Sequence, residues 1–236
     1  MNILITGATR GIGKAIADEF LNVKGTTVFA TGRNLDLLKK YEHFFSCDLA
    51  TIEGMLALGE YIKEKKIDIL VNNAGEYLYT PAQDGFDINK LEHITRLNLE
   101  APLYLISQAV PYMKEKNFGR IINIGSISGV MGEANASLYS ATKSGLIGAT
   151  KALALELAEY GITVNTINPG WVDTDMGNTS CEESDFSKKE IIECIPQKRF
   201  VAPSEIAGMI KYLISENAKG VTGQSINLCA GLSVGC

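Results

Sequence analysis

Histidine is nearly absent from this chain. Among 236 residues only His43 and His93 occur, and neither lies in a motif. A Ser-His-Asp hydrolase therefore has no evident base, and Gly125-Ser126-Ile127-Ser128-Gly129 is not a nucleophile elbow because its central residue is Ile127. No histidine/cysteine cluster offers a catalytic zinc site, so no metal is expected. The five cysteines (Cys47, Cys181, Cys194, Cys229 and Cys236) are odd in number and contain no C-x-x-C pair. They read poorly as a disulfide framework and better as free thiols in a reducing compartment. No apolar run is long enough to span a bilayer, so no membrane partner is expected. The chain opens directly on the apolar Asn2-Ile3-Leu4-Ile5, which leaves no room for a signal peptide, and a cytoplasmic location is expected. A net charge of −5 with scattered basic residues argues against nucleic-acid binding, which needs a positive face.

What is present is apolar material in a regular order. Hydrophobic residues make up 46% of the chain, enough for a full core. Short apolar runs at Ile3–Thr6, Thr27–Ala30, His43–Ser46, Ile67–Val71, Arg120–Ile124, Ile162–Ile167 and Ser225–Leu228 read as seven strands. Helical patterns run from Gly11 to about Val23, Asn89 to Lys116, Ser137 to Tyr160 and Ser204 to Ile214. Continuous apolar strands alternating with helices predict an α/β fold with a doubly wound parallel sheet, helices on both faces, and one domain over 1–236. The polar stretch Asn178–Lys189, carrying Glu182, Glu183 and Asp185, breaks the pattern. It is read as a surface insertion or as part of a lid over a site, at about 177–200.

The first strand runs into Thr6-Gly7-Ala8-Thr9-Arg10-Gly11-Ile12-Gly13. Glycines let backbone turn tightly against a pyrophosphate, and the helix that follows offers free N–H groups and the positive end of its dipole. A dinucleotide site of this kind usually carries an acid at the end of the second strand to hold the ribose 2′-hydroxyl. Here that region is Ala30-Thr31-Gly32-Arg33-Asn34, without a carboxylate. Arg33, with Arg10 as a second cation, suits a 2′-phosphate instead, so NADP(H) is expected over NAD(H).

Further motifs follow in order: Asn72-Asn73-Ala74-Gly75, Asn98, Ser126, Tyr139-x-x-x-Lys143 and Pro169-Gly170. With the glycine loop, they make a chain that resembles the short-chain dehydrogenase/reductase family, close in pattern to its 3-oxoacyl-(acyl-carrier-protein) reductases. The resemblance covers nearly the whole sequence and implies a Rossmann-type fold. It implies that Gly7, Thr9, Arg10, Gly11, Ile12, Gly13, Arg33 and Asn34 bind the cofactor together with Asn73, Ala74 and Gly75, which line its ribose. Asp48, beside Leu49, matches the contact to the adenine. Thr174, in the run Pro169-Gly170-Trp171-Val172-Asp173-Thr174, matches the residue that bonds the nicotinamide carboxamide. A homotetramer or homodimer built on the helices around 97–116 and 137–160 is also implied.

Hydride transfer to a carbonyl leaves a developing alkoxide, so the site must supply a proton and stabilise negative charge. Tyr139 and Lys143, four residues apart, share one helix face. An ammonium beside a phenol favours phenolate and lowers its pKa, which makes Tyr139 the proton donor in reduction and Lys143 its tuner. The resemblance adds that Lys143 holds the nicotinamide ribose. Ser126, thirteen residues before Tyr139, can hold the substrate oxygen beside the phenol, and Ser128 is read as loop structure. Asn98 matches the family's fourth catalytic residue, which binds a water linked to Lys143. Pro102, lacking an N–H, cannot donate to the Asn98 carbonyl and leaves it free for that water.

The chain also departs from the family. Cys229 stands where an acid is usual after the last strand. The arginines with which carrier-protein reductases dock an acidic carrier are missing: Tyr160 occupies one such place, and only Lys114 and Lys116 lie near the other. A free ketone, aldehyde, sugar or steroid is therefore an alternative to an acyl-carrier substrate. Glu76, Tyr77, Glu133, Ala134 and Met176 are read as candidate walls of the substrate pocket. A non-catalytic dinucleotide sensor is the rival from another class, against which the chain keeps both the glycine loop and the acid/base pair.

Overall fold

A computed structural model describes residues 1–183 and 187–235. Its elements run β1 (Asn2–Ile5), α1 (Gly11–Leu21), β2 (Thr27–Gly32), α2 (Leu35–Leu38), β3 (His43–Ser46), α3 (Ile52–Lys65), β4 (Ile69–Asn72), α4 (Ile88–Thr95), α5 (Ala101–Lys116), β5 (Gly119–Ile124), α6 (Ser128–Met131), α7 (Ser137–Leu157), β6 (Ile162–Pro169), α8 (Asp175–Glu183), α9 (Lys188–Cys194), α10 (Pro203–Leu213) and β7 (Ser225–Leu228). The seven strands form one parallel sheet in the order β3-β2-β1-β4-β5-β6-β7. The order reverses between β1 and β4, and α/β sheets bind ligands in the crevice at the strand C-termini beside such a switch.

Alternation along each strand divides the core in two. Ile3, Ile5, Val28, Ala30, Ile69, Val71, Ile122 and Ile124 point to one face and pack with Ile16, Ala17 and Phe20 of α1 and Ile206, Ala207 and Ile210 of α10. Leu4, Phe29, Leu70, Ile121 and Val164 point to the other and meet Leu58 and Ile62 of α3, Leu105, Ile106 and Ala109 of α5, and Ala154 and Leu157 of α7. Each such aliphatic side chain contributes roughly 1.5–3 kcal/mol on burial. The strands thus need apolar residues at successive positions, which is why they read as unbroken apolar runs.

Besides the one-turn helices α2 and α6, the latter beginning at Ser128, three longer features differ from the sequence expectations. Helix α3 is present where no helix is assigned. Its buried positions are only Leu58, Gly59 and Ile62, a stripe diluted by charge, though Thr51 caps it by accepting from the Gly54 N–H at 3.0 Å. The helix expected from Asn89 to Lys116 is interrupted by a π turn over Arg96–Glu100, in which the Ala101 N–H bonds to the Arg96 carbonyl. Pro102 sits in the first turn of α5, directly after it. The polar segment read as a surface insertion or as part of a lid is largely helical, α8 and α9, with Ser187 and Glu190 forming a reciprocal cap on α9. Cys181, Ile191 and Ile195 bury a small core of their own there against Trp171 and Phe200. Asp185 and the side chains of Glu182 and Glu183 lie outside the described residues.

Candidate active site

The glycine loop after β1 is shaped by contacts that only glycine permits. Gly7 and Gly11 have φ of +67° and +52°. A Cβ on Gly13 would stand 2.2 Å from the Gly7 carbonyl oxygen and 2.4 Å from Asn73 Nδ2. Gly13 therefore serves the packing of the loop against α1, and it lies off the cleft surface, unlike Gly11 and Ile12. Asn73 holds the loop from beneath, its amide donating to the carbonyls of Thr6 at 2.8 Å and Gly7 at 3.2 Å. Thr6 Oγ1 accepts in return from the N–H groups of Asn73 and Ala74, both at 2.9 Å. The Asn-Asn-Ala-Gly turn is thus the buttress of the loop, and Asn72 extends the support sideways to Asn123 at 2.9 Å, which reaches Thr150 at 2.9 Å.

The loop opens onto a cleft of about 830 Å³ along the C-terminal edge of the sheet. Its lining at this end includes Gly7, Thr9, Arg10, Gly11, Ile12, Arg33, Asn34, Asp48, Leu49, Asn73, Ala74 and Gly75. The N-terminus of α1 carries no side-chain cap, so its first N–H groups are left to a ligand. Thr31 Oγ1 is buried in the same wall without a partner among the described residues. A dinucleotide fits this set. Arg33 is exposed and stands 3.9 Å from Asp48, a contact loose enough to leave the guanidinium to an anion. Asn34 caps α2 by accepting from the Leu37 N–H, and Asp48 accepts from the Ala50 N–H at 3.0 Å.

Further along the cleft Ser126, Tyr139 and Lys143 meet, and Pro169, Gly170, Val172 and Thr174 also line it, Thr174 lying beside Gly11 of the loop. Tyr139 is 9% exposed and its hydroxyl is hydrogen-bonded to Ser126. Lys143, 4% exposed, sits 5.6 Å from the Tyr139 ring centre and donates to the Ile124 carbonyl at 2.9 Å. Burial pushes the Tyr139 phenol up to about 12, against the lowering effect of the Ser126 bond, and the Glu133 charge adds to the rise. Burial also pulls the Lys143 ammonium down to about 8. Lys143 is not among the causes that shift the phenol, and desolvation carries Tyr139 further above neutrality than an ordinary phenol. Thr174 accepts from the Gly177 N–H at 3.2 Å at the start of α8.

Asn98 does not line the cleft. It is fully buried in the π turn and clamps Glu76, accepting from its N–H at 3.0 Å and donating to its carbonyl at 2.9 Å. It still lies on the Lys143 side: a Cβ on Gly75 would be 3.2 Å from Asn98 Oδ1 and 3.4 Å from Lys143 Nζ. Glu76, Tyr77, Glu133, Ala134 and Met176 all line the mouth. Ser128, read as loop structure, also lines the cleft and bonds to Ser126 and Glu133. Only its nearness to Ser126 in sequence signals this, because the contact to Glu133 depends on how the loop folds. Cys229 packs under Gly170, where a Cβ would come within 2.9 Å of its own. Among the described residues no group of His, Cys, Asp or Glu could hold a metal ion, and no helix is long and apolar enough to cross a membrane.

A doubly wound sheet with a glycine-lined phosphate cradle at one end of its cleft and a serine, tyrosine and lysine at the other defines a nicotinamide-dependent oxidoreductase. Comparison with known proteins agrees. Residues 7–233 match the family described as enoyl-(acyl carrier protein) reductase, and the chain belongs to the short-chain dehydrogenase/reductase family, whose members act with NAD(P). It is 38% identical to the 3-oxoacyl-(acyl-carrier-protein) reductase FabG of Buchnera aphidicola subsp. Schizaphis graminum, over 97% of this chain and 96% of the relative. Among solved structures it is similar to actinorhodin polyketide ketoreductase with NADPH (36% identity, TM-score 0.91, 99% of this chain and 97% of that one). It is also similar to a gluconate 5-dehydrogenase of Beutenbergia cavernae described as putative, with bound NADP (30% identity, TM-score 0.88, 98% and 96%).

Proposed function

We propose that this protein is an NADP(H)-dependent reductase that interconverts a carbonyl and an alcohol, with Tyr139, Lys143, Ser126 and Asn98 as its catalytic set. The observation that carries the reading is the convergence of Tyr139, Lys143 and Ser126 in the cleft that also holds the glycine loop and Arg33. The bound nicotinamide supplies or accepts the hydride. Tyr139 donates its phenolic proton to the oxygen that becomes the alcohol, and Ser126 holds that oxygen beside it. Lys143 holds the cofactor ribose and places a positive charge near the phenol. Asn98 anchors the strand-end segment at Glu76 and faces the lysine from behind. Arg33 and Arg10 select the 2′-phosphate, in keeping with NADPH or NADP in the similar structures. Helices α8 and α9, within about 177–200, serve as the substrate lid through Met176, Ser180 and Ile191.

The relatives support a 3-oxoacyl thioester as substrate. One observation favours a free small carbonyl compound instead. Lys114 lies over the Tyr160 ring at 4.0 Å and Lys116 is bound to Asp68, so neither of the two candidate docking cations is unengaged. Oxidation of NADPH by ethyl acetoacetate and by an acetoacetyl group on a carrier protein separates the two. The Tyr139→Phe variant tests the chemistry: turnover falls by about a hundredfold or more while NADPH binding is retained. Undiminished turnover would refute it.

A further inference from the structure

Glu133 occupies a place in the site that the reading above leaves without a role. Its Oε1 accepts from the Tyr77 hydroxyl at 2.9 Å, and its Oε2 accepts from the Ser128 hydroxyl. Ser128 Oγ accepts from the Ser126 hydroxyl at 3.0 Å, and the Ser128 N–H donates to Ser126 Oγ at 3.1 Å. Ser126 is bonded to Tyr139, whose ring meets that of Tyr77 edge-on at 5.2 Å. The result is a closed circuit, Tyr139–Ser126–Ser128–Glu133–Tyr77, around the place where the substrate oxygen must sit.

A carboxylate only accepts hydrogen bonds, and each hydroxyl has one proton to give. Glu133 therefore sets the direction of the circuit. Ser128 gives its proton to Glu133 and so accepts from Ser126, whose oxygen also accepts from the Ser128 N–H. A carbonyl entering the site accepts from Tyr139 and draws the Ser126 proton away from Ser128, while the Ser128 N–H, on a segment tied down by the Ser128–Glu133 bond, keeps Ser126 in place. The negative charge also opposes loss of the Tyr139 proton.

We propose that Glu133 is a positioning residue that fixes Ser126 through Ser128, and that its carboxylate, beside the Tyr77–Tyr139 ring pair, governs the pH at which the site oxidises an alcohol. This rests on the reading of Tyr139 as the proton carrier. The titratable and charged groups that share this part of the cleft with Tyr139 are Lys143 on α7, Glu133 on the loop before it, Tyr77, Tyr79 and Glu76 from the segment after β4 (Glu76 being paired with His93 of α4), and Asp175 at the start of α8.

The test is the pH dependence of NADP⁺-linked oxidation of ethyl 3-hydroxybutyrate, with ethyl acetoacetate reduction run beside it. Glu133→Gln keeps an acceptor for Ser128 and removes the charge. Its oxidation midpoint is expected to fall by about one pH unit. Glu133→Asp keeps the charge and is expected to keep the wild-type midpoint. Glu133→Ala loses the anchor, and its reduction kcat falls about tenfold with the KM for NADPH unchanged. A purely structural role predicts the same midpoint in Glu133→Gln and the wild type, and that result would overturn the proposal. A second readout does not need turnover: the ¹³Cζ resonance of Tyr139 in labelled protein with NADP⁺, identified by its loss in Tyr139→Phe. A lower titration midpoint in Glu133→Gln supports the proposal, and coincident titrations overturn it. If the wild type turns over neither ester, the proposed chemistry fails on these probes, while the resonance still decides Glu133.

Discussion

Replacing Lys143 with methionine separates the cost of a buried charge from its use. Lys143 is 4% exposed, and its one described hydrogen bond runs to the Ile124 carbonyl at 2.9 Å. Burial draws its pKa from 10.5 to about 8. At about 1.4 kcal/mol per pH unit, holding the charge at neutral pH costs on the order of 3 kcal/mol. Because the folded value lies below the unfolded one, the unfolded chain binds more protons between the two. Stability conferred by this group is therefore lowest below about pH 8 and rises with pH until 10.5. From about pH 7 to about pH 9.5 the gain is about 2 kcal/mol. Methionine has nearly the same length and no charge, so Lys143→Met loses that slope. Losing the donor to Ile124 lowers its stability by about 1 kcal/mol at every pH, a constant offset that leaves the slope untouched. The assay is urea unfolding of both proteins, without nucleotide, at several pH values. Other titrating groups cancel in the difference. Parallel stability curves for the two proteins would show that Lys143 carries no such strain and would refute the reasoning.

Three other outcomes follow from the geometry. Arg33→Ala weakens NADPH binding about tenfold and leaves NADH binding nearly unchanged, read by quenching or enhancement of cofactor fluorescence; an equal loss for both would remove Arg33 from the 2′-phosphate. Gly13→Ala drives a methyl group to 2.2 Å from the Gly7 carbonyl and is expected to lower stability by about 3 kcal/mol and abolish nucleotide binding, measured by thermal melting with and without NADPH. If α5 and α7 pair with further copies, as the family resemblance implies, light scattering gives a mass two or four times 25.5 kDa, and a monomer overturns that expectation.

The sheet was legible because its central strands β1, β4, β5 and β6 are buried on both faces, a pattern local to the chain. Helix α3 was not, because its buried stripe is three residues among charges and its place is set by packing against α5. The π turn was foreshadowed only by Pro102, which marks a missing donor without saying whether the helix kinks, ends or widens. At the site, glycine and arginine positions follow strand ends closely, so sequence order placed them in the cleft. Gly13 and Asn98 proved to lie behind its surface, shaping the loop and clamping Glu76. The Ser128–Glu133–Tyr77 contacts join three points whose approach is decided by loop geometry, which no spacing rule encodes.

The π turn over Arg96–Glu100 has a mechanical consequence. It acts as one residue of slack between two α-helical registers, and each residue in an α-helix is worth about 100° of rotation. Five residues wound as a π turn cover about the same rotation as four wound as an α-helix, so the extra residue is absorbed without turning α4 against α5. Forcing all five residues from 96 to 100 into regular α geometry would instead swing α4 by roughly a quarter of a turn relative to α5. Ile94, 1% exposed, would then leave the core, and Asn98 would turn from Glu76. The widened turn is thus a phase adjuster. It lets one continuous rod present two faces that a uniform helix of the same length could not present together.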